Sequence, residues 1–142
     1  MAITTSTYNS YKRDAGVGTV DWLTDTIKVA LVTSSYSVDV DLHTFFDDIT
    51  NEITGTGYVA GGATVGTKTA TQDNTDNEGV MDAANTTWST ATFTARGAVV
   101  YKVGASAATS PLIGFINFGQ DESPSAANFT ITWNAEGIIN FT

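Results

Sequence analysis

The sequence predicts an all-β domain, a β-sandwich or jelly-roll-like barrel of about eight strands with one short helix. Threonine, valine and aromatic residues, which favour pleated surfaces, are abundant, while glycine and asparagine recur where turns are needed. Several segments alternate apolar and polar residues with the two-residue period of a strand. Turn residues separate these segments at regular intervals, which is typical of sandwiches and barrels.

Composition narrows the class of protein. The chain has 142 residues, a common length for one domain, and we divide it into an N-terminal arm, residues 1–19, and a single β-sandwich domain, residues 20–142. Its net charge of -9 disfavours nucleic acid and anionic membranes as partners. It contains no cysteine for a disulfide or a zinc site, and no apolar run long enough to cross a membrane. Met1–Asp14 is polar and does not resemble a signal peptide.

The N-terminal arm contains a short aromatic and basic segment. Residues 8–14 have the composition of one helical turn, and they include the only adjacent cations of the chain, Lys12 and Arg13. Two interpretations stay open. Either Tyr8 or Tyr11 packs on the domain, or the arm docks on a partner and the basic pair meets an acidic surface.

The first long strand and the main helix follow. Thr26–Thr33 alternates apolar and polar residues, so we predict a strand with one face on the core and one half-polar face. Between Asp39 and Ile53 the apolar residues recur at helical spacing, and Asp39 or Asp41 would cap a helix there. The sequence therefore predicts its only substantial helix in this segment, closing one end of the core.

The remaining segments predict further strands. We predict strands at residues 63–69, 80–83, 91–103, 112–118, 129–133 and 137–141, and a further strand that begins at residues 87–88. Gly97 interrupts the long strand 91–103 and predicts a bulge or a close backbone approach. Gly137 predicts a hairpin turn between the last two strands.

Two loops carry partial ligand-binding motifs. Gly55–Gly62 has the G-x-G-x-x-A spacing of a dinucleotide fingerprint, but that motif needs a strand before it and a helix after it, the reverse of the order predicted here. Gln72–Gly79 is rich in Asp and Asn, but Thr75 and Glu78 stand where a calcium loop needs a ligand and a glycine. We interpret the first as a structural loop. The second is interpreted as a solvated turn, with weak divalent-cation binding as the minor alternative.

No pattern of residues predicts a catalytic site, a metal site or a cofactor. His43 is the only histidine, and the chain has no Gly-x-Ser-x-Gly turn for it to serve. Asp47 and Asp48 are adjacent and would point to different sides of a helix. Paired carboxylates from distant strands would suit a glycosidase, but nothing selects a pair. The three tryptophans could stack on a sugar, although tryptophan in β domains is more often part of the core.

A family resemblance lies in the order and combination of six segments rather than in a chemical motif. These segments are Val20–Val32, Phe45–Glu52, Gly55–Gly62, Ala98–Lys102, Ser110–Gly114 and Phe129–Trp133. Together they resemble a group of tailed-bacteriophage structural proteins that are similar to capsid decoration, or cement, proteins. The resemblance implies a virion protein, assembled in the host bacterial cytoplasm, on the outer capsid surface. It implies the major capsid protein and further copies of itself as partners, and no enzymatic activity.

The same resemblance implies where the capsid contacts would lie. An edge strand and the exposed loops 104–110 and 121–127 are candidates, together with the N-terminal arm. The candidate contact residues of the arm are Tyr8, Tyr11, Lys12 and Arg13.

Two competing functions stay open at this stage. A tail, fibre or spike component that binds a receptor or a glycan would present solvent-exposed tryptophans. A hydrolase would use carboxylates that the sequence does not single out.

Overall fold

In the computed structural model, which describes residues 3–142, three antiparallel sheets form a sandwich, and one α-helix and long connections complete the structure. The structure confirms the all-β, sandwich-like class, with ten strands instead of about eight and no closed barrel among these residues. The elements are β1 (Thr4–Thr7), α1 (Asn9–Gly16), β2 (Ile27–Val32), β3 (Ala63–Thr64), β4 (Thr69–Asp73), β5 (Glu78–Asp82), β6 (Thr86–Ala91), β7 (Ala95–Lys102), β8 (Leu112–Glu122), β9 (Ala127–Ile131) and β10 (Ile139–Phe141).

One large sheet organises the molecule. Its strand order is β1-β8-β7-β2-β3, and two small sheets, β10-β5-β4 and β6-β9, pack on one of its faces. β2 lies well inside the large sheet, and all its residues except Lys28 are buried. The half-polar face predicted for this strand is therefore also covered. The predicted final hairpin is wrong, because β9 pairs with β6 and β10 pairs with β5.

The outer face of the large sheet is covered by part of a long segment that contains no α-helix or strand. This segment, residues 33–62, is called the cover segment below. Val40, Phe46 and Ile49 from the cover segment pack on a second apolar cluster that includes Val99 and Leu112 of the sheet. The large sheet is thus buried on both faces, which explains why its central strands are apolar throughout.

The helix predicted between Asp39 and Ile53 does not form, and only a 3-10 turn at Phe46–Asp48 is present there. The Asp39 side chain accepts hydrogen bonds from the backbone N–H groups of Asp41 and Leu42, both at 3.0 Å. Asp39 thus caps one turn as predicted, and the His43 N–H closes this turn on the Asp39 carbonyl at 3.0 Å, but the turn does not continue into a helix. The apolar residues of the segment therefore do not share one face: Phe46 and Ile49 pack on the outer face of the sheet, Ile53 belongs to the core between the layers, and Leu42 is exposed.

The one α-helix forms at Asn9–Gly16, where the sequence indicated a single turn. It follows β1, which pairs with β8, so residues 3–19 are integrated in the domain and do not form a separate arm. Met1 and Ala2 lie outside the described residues. No helix among residues 3–142 is long and apolar enough to span a membrane.

The bulge predicted at Gly97 is present. The pairing of β7 with β8 shifts register between Ala95 and Gly97. A Cβ at Gly97 would stand 2.7 Å from the Ile116 carbonyl oxygen and 2.8 Å from the Phe115 ring. Glycine is required here because the neighbouring backbone approaches too closely for a side chain.

Candidate functional site at the N-terminal edge

β1 leaves one side of the large sheet unpaired. The Tyr8 N–H donates to the Ile113 carbonyl at 3.1 Å, in register with the β1–β8 pairs. Because hydrogen-bonded and non-hydrogen-bonded pairs alternate in an antiparallel ladder, Ser6 also bonds to β8, whereas Thr5 and Thr7 point their N–H and C=O groups away from it. Among residues 3–142 no protein group bonds to those four backbone groups. β1 therefore presents a template to which another strand can pair.

A cleft lies beside this edge, between the two layers of the sandwich. Its other wall comes from the Asn134–Ile138 turn and β10, which is the edge strand of its own sheet. The cleft has a volume of about 410 Å³, and its lining includes Ile3, Thr5 and Thr7. A second open space of about 370 Å³, next to Lys12, shares Thr7 and Asn140 with this lining. Two edge strands, β1 and β10, thus contribute to both of these neighbouring spaces, which are together called the edge cleft below.

The junction between β1 and α1 is anchored by a buried chain of polar groups. The hydroxyls of Tyr8 and Tyr36 lie 2.8 Å apart, and the Tyr36 hydroxyl lies 2.9 Å from His43 Nδ1. Burial is the main cause that raises the pKa of Tyr8 far above its usual value, and the bond to Tyr36 adds to it. His43, the only histidine, therefore helps to hold the end of β1 against the cover segment.

Helix α1 closes one end of the edge cleft. The Tyr11 ring packs on Phe141 of β10 with their centroids 5.5 Å apart. Burial, with a further contribution from the Asp21 charge, raises the pKa of Tyr11 to about 12. Tyr11 thereby fixes α1 to β10 and so fixes the width of the trough.

The four candidate contact residues separate into two pairs. Tyr8 is 0% exposed and Tyr11 is 1% exposed, so both rings belong to the core and neither reaches a partner in this conformation. Lys12 and Arg13 are exposed. Arg13 forms an ion pair with Asp14 at 2.8 Å, whereas Lys12 donates only to Asn9 Oδ1, at 3.2 Å. Lys12 is therefore the cation of this edge that forms no ion pair with an acid of residues 3–142.

The two loops with partial motifs serve the fold. Gly62, in the loop compared with a dinucleotide fingerprint, has a φ of 80°, and a Cβ there would stand 1.9 Å from the Val29 carbonyl oxygen. This glycine lets the cover segment approach β2, as expected of a structural loop. Asp73 of the acidic turn accepts hydrogen bonds from the backbone N–H groups of Thr75 and Asp76, at 2.8 and 3.3 Å.

Folding also brings Glu136 to that acidic turn, which the sequence did not indicate. Carboxylate oxygens of Asp73, Asp76 and Glu136 all lie within 4.8 Å of one another. Asp76 and Glu136 are exposed. Three like charges at this distance repel one another, and solvent screens the repulsion.

The tryptophans do not form an exposed platform. Trp22, Trp88 and Trp133 are 4%, 5% and 7% exposed. The Trp22 indole donates to the Asp82 carbonyl at 3.1 Å, and the Trp133 indole donates to the Ala84 carbonyl at 2.9 Å. These side chains fill the core and fasten the small sheets, as is more usual for tryptophan in β domains.

Sequence reasoning missed the edge cleft itself. Thr4–Thr7 and Ile139–Phe141 stand at opposite ends of the chain, and neither segment carries a motif. Their shared border follows from tertiary packing, for which a single sequence offers no local signal.

Comparisons of the chain with protein-family models, with curated proteins and with solved structures each found no match.

Proposed function

We propose that this chain is a virion structural protein that decorates a tailed-phage capsid. In this proposal it binds the outer surface of the mature head as a cement protein, with the major capsid protein and further copies of itself as partners. The observation that supports the proposal most directly is the N-terminal edge. It combines four unpaired backbone groups, an adjoining cleft and the exposed Lys12 on an otherwise acidic domain.

The mechanism is stabilisation by interface burial. A domain bound across neighbouring capsid subunits adds its binding free energy to the assembled shell only, because its complete site exists only on the lattice. Many copies on one shell act together through multivalency, so a modest affinity for each copy is sufficient. The fixed α1–β10 contact between Tyr11 and Phe141 limits the ordering that binding would require.

The test is the copy number of this protein in purified virions. Quantitative mass spectrometry would compare it with the major capsid protein. We expect a number on the scale of the capsid protein. A few copies per particle would instead assign the chain to the tail or a fibre, and absence from particles would overturn the virion assignment.

A tail, fibre or spike protein that binds a receptor or a glycan is the alternative. Its recognition would have to use surfaces other than the tryptophans, since all three are buried. The exposed apolar side chains, including Val17, Leu42 and Val59, are the remaining candidates for such contacts. The copy number in virions distinguishes the two functions, because a tail or fibre protein is present in a few copies per particle and a decoration protein in numbers close to those of the capsid protein.

A further inference from the structure

We propose that the edge cleft binds one extended segment of a capsid subunit, which pairs with β1 as a sixth strand of the large sheet. This inference rests on the proposed function and specifies how the partner is recognised. The occupant is a polypeptide strand, and its recognition is by main-chain hydrogen bonding together with alternate side chains.

The hydrogen-bonding capacity for this strand is already in place. Thr5 and Thr7 each direct one N–H and one C=O away from β8, so a partner strand can form four bonds without any change in β1. The positions of both residues are fixed, because Ser6 is paired with Phe115 and the adjoining Tyr8 is fully buried. Such preorganisation lowers the cost of binding.

The edge cleft accounts for the side chains of the incoming strand. Thr5 and Thr7 are paired with Ile116 and Gly114, and Ile116 belongs to the core between the layers, so this face of β1 points into the sandwich. Every second side chain of an added strand would point the same way and enter the cleft. Ile3 and Ile138 contribute to the lining, which favours apolar or small residues at those positions.

Charges at the two ends of the edge cleft define the polarity of the partner. Lys12 lines the smaller space, to which β1 contributes only Thr7, and Glu136 lines the larger space, to which Ile3 and Thr4 also contribute. A matching strand therefore carries an acidic residue near Lys12 and a basic or neutral polar residue near Glu136. This charge pattern is a specificity element and contributes less to affinity than the backbone pairing.

A second copy of this chain is a poorer occupant than a free segment. The β1 strand of another copy is already part of a five-stranded sheet, and its own β10 layer lies directly beside it. Its bulk would prevent it from entering a trough of about 410 Å³. Two domains of net charge -9 would also repel each other during approach. An extended segment of a capsid subunit meets neither obstacle.

The decisive experiment is the substitution Thr5→Pro, with Thr5→Val as its matched control. Proline removes the outward N–H and places its ring at the open edge, while the hydrogen bonds to β8 stay intact because Thr5 does not donate to that strand. Valine keeps the N–H and the β-branched shape. We expect both variants to melt close to wild type, and Thr5→Pro to bind undecorated capsids about tenfold or more weakly than Thr5→Val.

The outcomes separate this inference from the proposed function. If the wild-type protein does not bind capsids, the proposed function fails and the inference fails with it. If the wild type binds and Thr5→Pro binds as tightly as Thr5→Val, decoration stands and strand addition at β1 is overturned. A Thr5→Pro variant that binds weakly while its melting temperature matches the control supports strand addition.

A second variant keeps the inference testable if proline disturbs the fold. The chain contains no cysteine, so Thr7→Cys supplies one thiol next to the edge cleft for a short bifunctional cross-linker. Mass spectrometry of decorated capsids should then find the thiol joined to an extended segment of the capsid protein. Attachment only to another copy of this chain would overturn the inference.

Discussion

At the scale of single residues, the tyrosines carry the strongest electrostatic signature of the fold. The chain has five tyrosines, and burial is the largest cause that raises the pKa of each one. For Tyr11 and Tyr101 the pKa rises to about 12. Their hydroxyls are used inside the protein, as with Tyr101, which donates to the Gly61 carbonyl at 2.6 Å.

These shifts predict alkaline unfolding. A tyrosine with a raised pKa stabilises the folded state fully below its ordinary pKa of 10.0, and this contribution is lost as the pH rises towards 12. We therefore expect unfolding and tyrosine ionisation to occur together above pH 10. Ultraviolet difference absorbance and circular dichroism, followed in the same titration, measure both. The chemically unfolded chain is the control and should ionise near pH 10. A tyrosine that ionises near pH 10 in the folded protein would contradict this prediction.

At the scale of elements, the cover segment shows where sequence patterns succeed and where they fail. Local patterns predicted strands at 26–33 and 112–118 because each is a continuous run that packs on the core, and they form as Ile27–Val32 and Leu112–Glu122. The second strand is longer than predicted and includes Asp121 and Glu122, which we expected in an exposed loop. The helical spacing of residues 39–53 was misleading, since Phe46 and Ile49 pack on the outer face of the sheet, whereas Ile53 lies in the core between the layers. Partner strands, such as β10 with β5, could not be predicted because pairing depends on contacts between distant parts of the chain.

One carboxylate fastens the cover segment to β2. Glu52 accepts a hydrogen bond from the Tyr58 hydroxyl at 2.6 Å and another from the Gly61 N–H. The Tyr58 hydroxyl in turn accepts a bond from the Leu31 N–H at 2.9 Å. Glu52 thus connects two turns of the cover segment to the most buried strand of the large sheet.

We predict that Glu52→Ala lowers the free energy of unfolding by about 2–3 kcal/mol, because bonds to a charged group are lost and the Tyr58 hydroxyl loses its acceptor. Glu52→Gln keeps one acceptor oxygen and should lower the free energy of unfolding by less than Glu52→Ala does. Urea denaturation measures both. Asp47→Ala is the matched control, because Asp47 is an exposed acid of the same segment that accepts no hydrogen bond from residues 3–142. Equal losses for Glu52→Ala and Asp47→Ala would refute this role of Glu52.

At the scale of the whole molecule, acidic charge is the dominant surface property. The chain has fifteen Asp and Glu residues but only six Lys and Arg residues. Arg13, Arg96 and Lys102 form ion pairs with acids of the chain, which leaves few cations to offset the remaining acids. Net charge of this size favours solubility and opposes the folded state through self-repulsion. Composition predicted this property directly, but it could not show that Glu136 joins Asp73 and Asp76.

The charge distribution predicts a salt dependence of stability. We expect the melting temperature to rise with sodium chloride concentration, because dissolved salt screens the repulsion between acidic side chains. At 0.1 M the Debye length, beyond which exposed charges are largely screened, is about 10 Å. The double variant Asp76→Asn, Glu136→Gln should melt roughly 2–4 °C higher than wild type at low salt and should gain less from added salt. Scanning calorimetry measures both effects. If the double variant melts lower than wild type at low salt, the cluster stabilises the fold and the prediction is wrong.

The pairing of β1 with β8 has a consequence for synthesis on the ribosome. Thr4 and its partner Asn117 are separated by most of the chain, so β1 emerges early and waits for β8 before it can pair. Contacts between residues so far apart form late and slowly in folding. The edge that would receive a capsid segment is therefore complete only after β8 has been translated. A product that ends before β8 would lack this paired edge and, under the proposed function, would not compete with the complete protein for sites on the capsid.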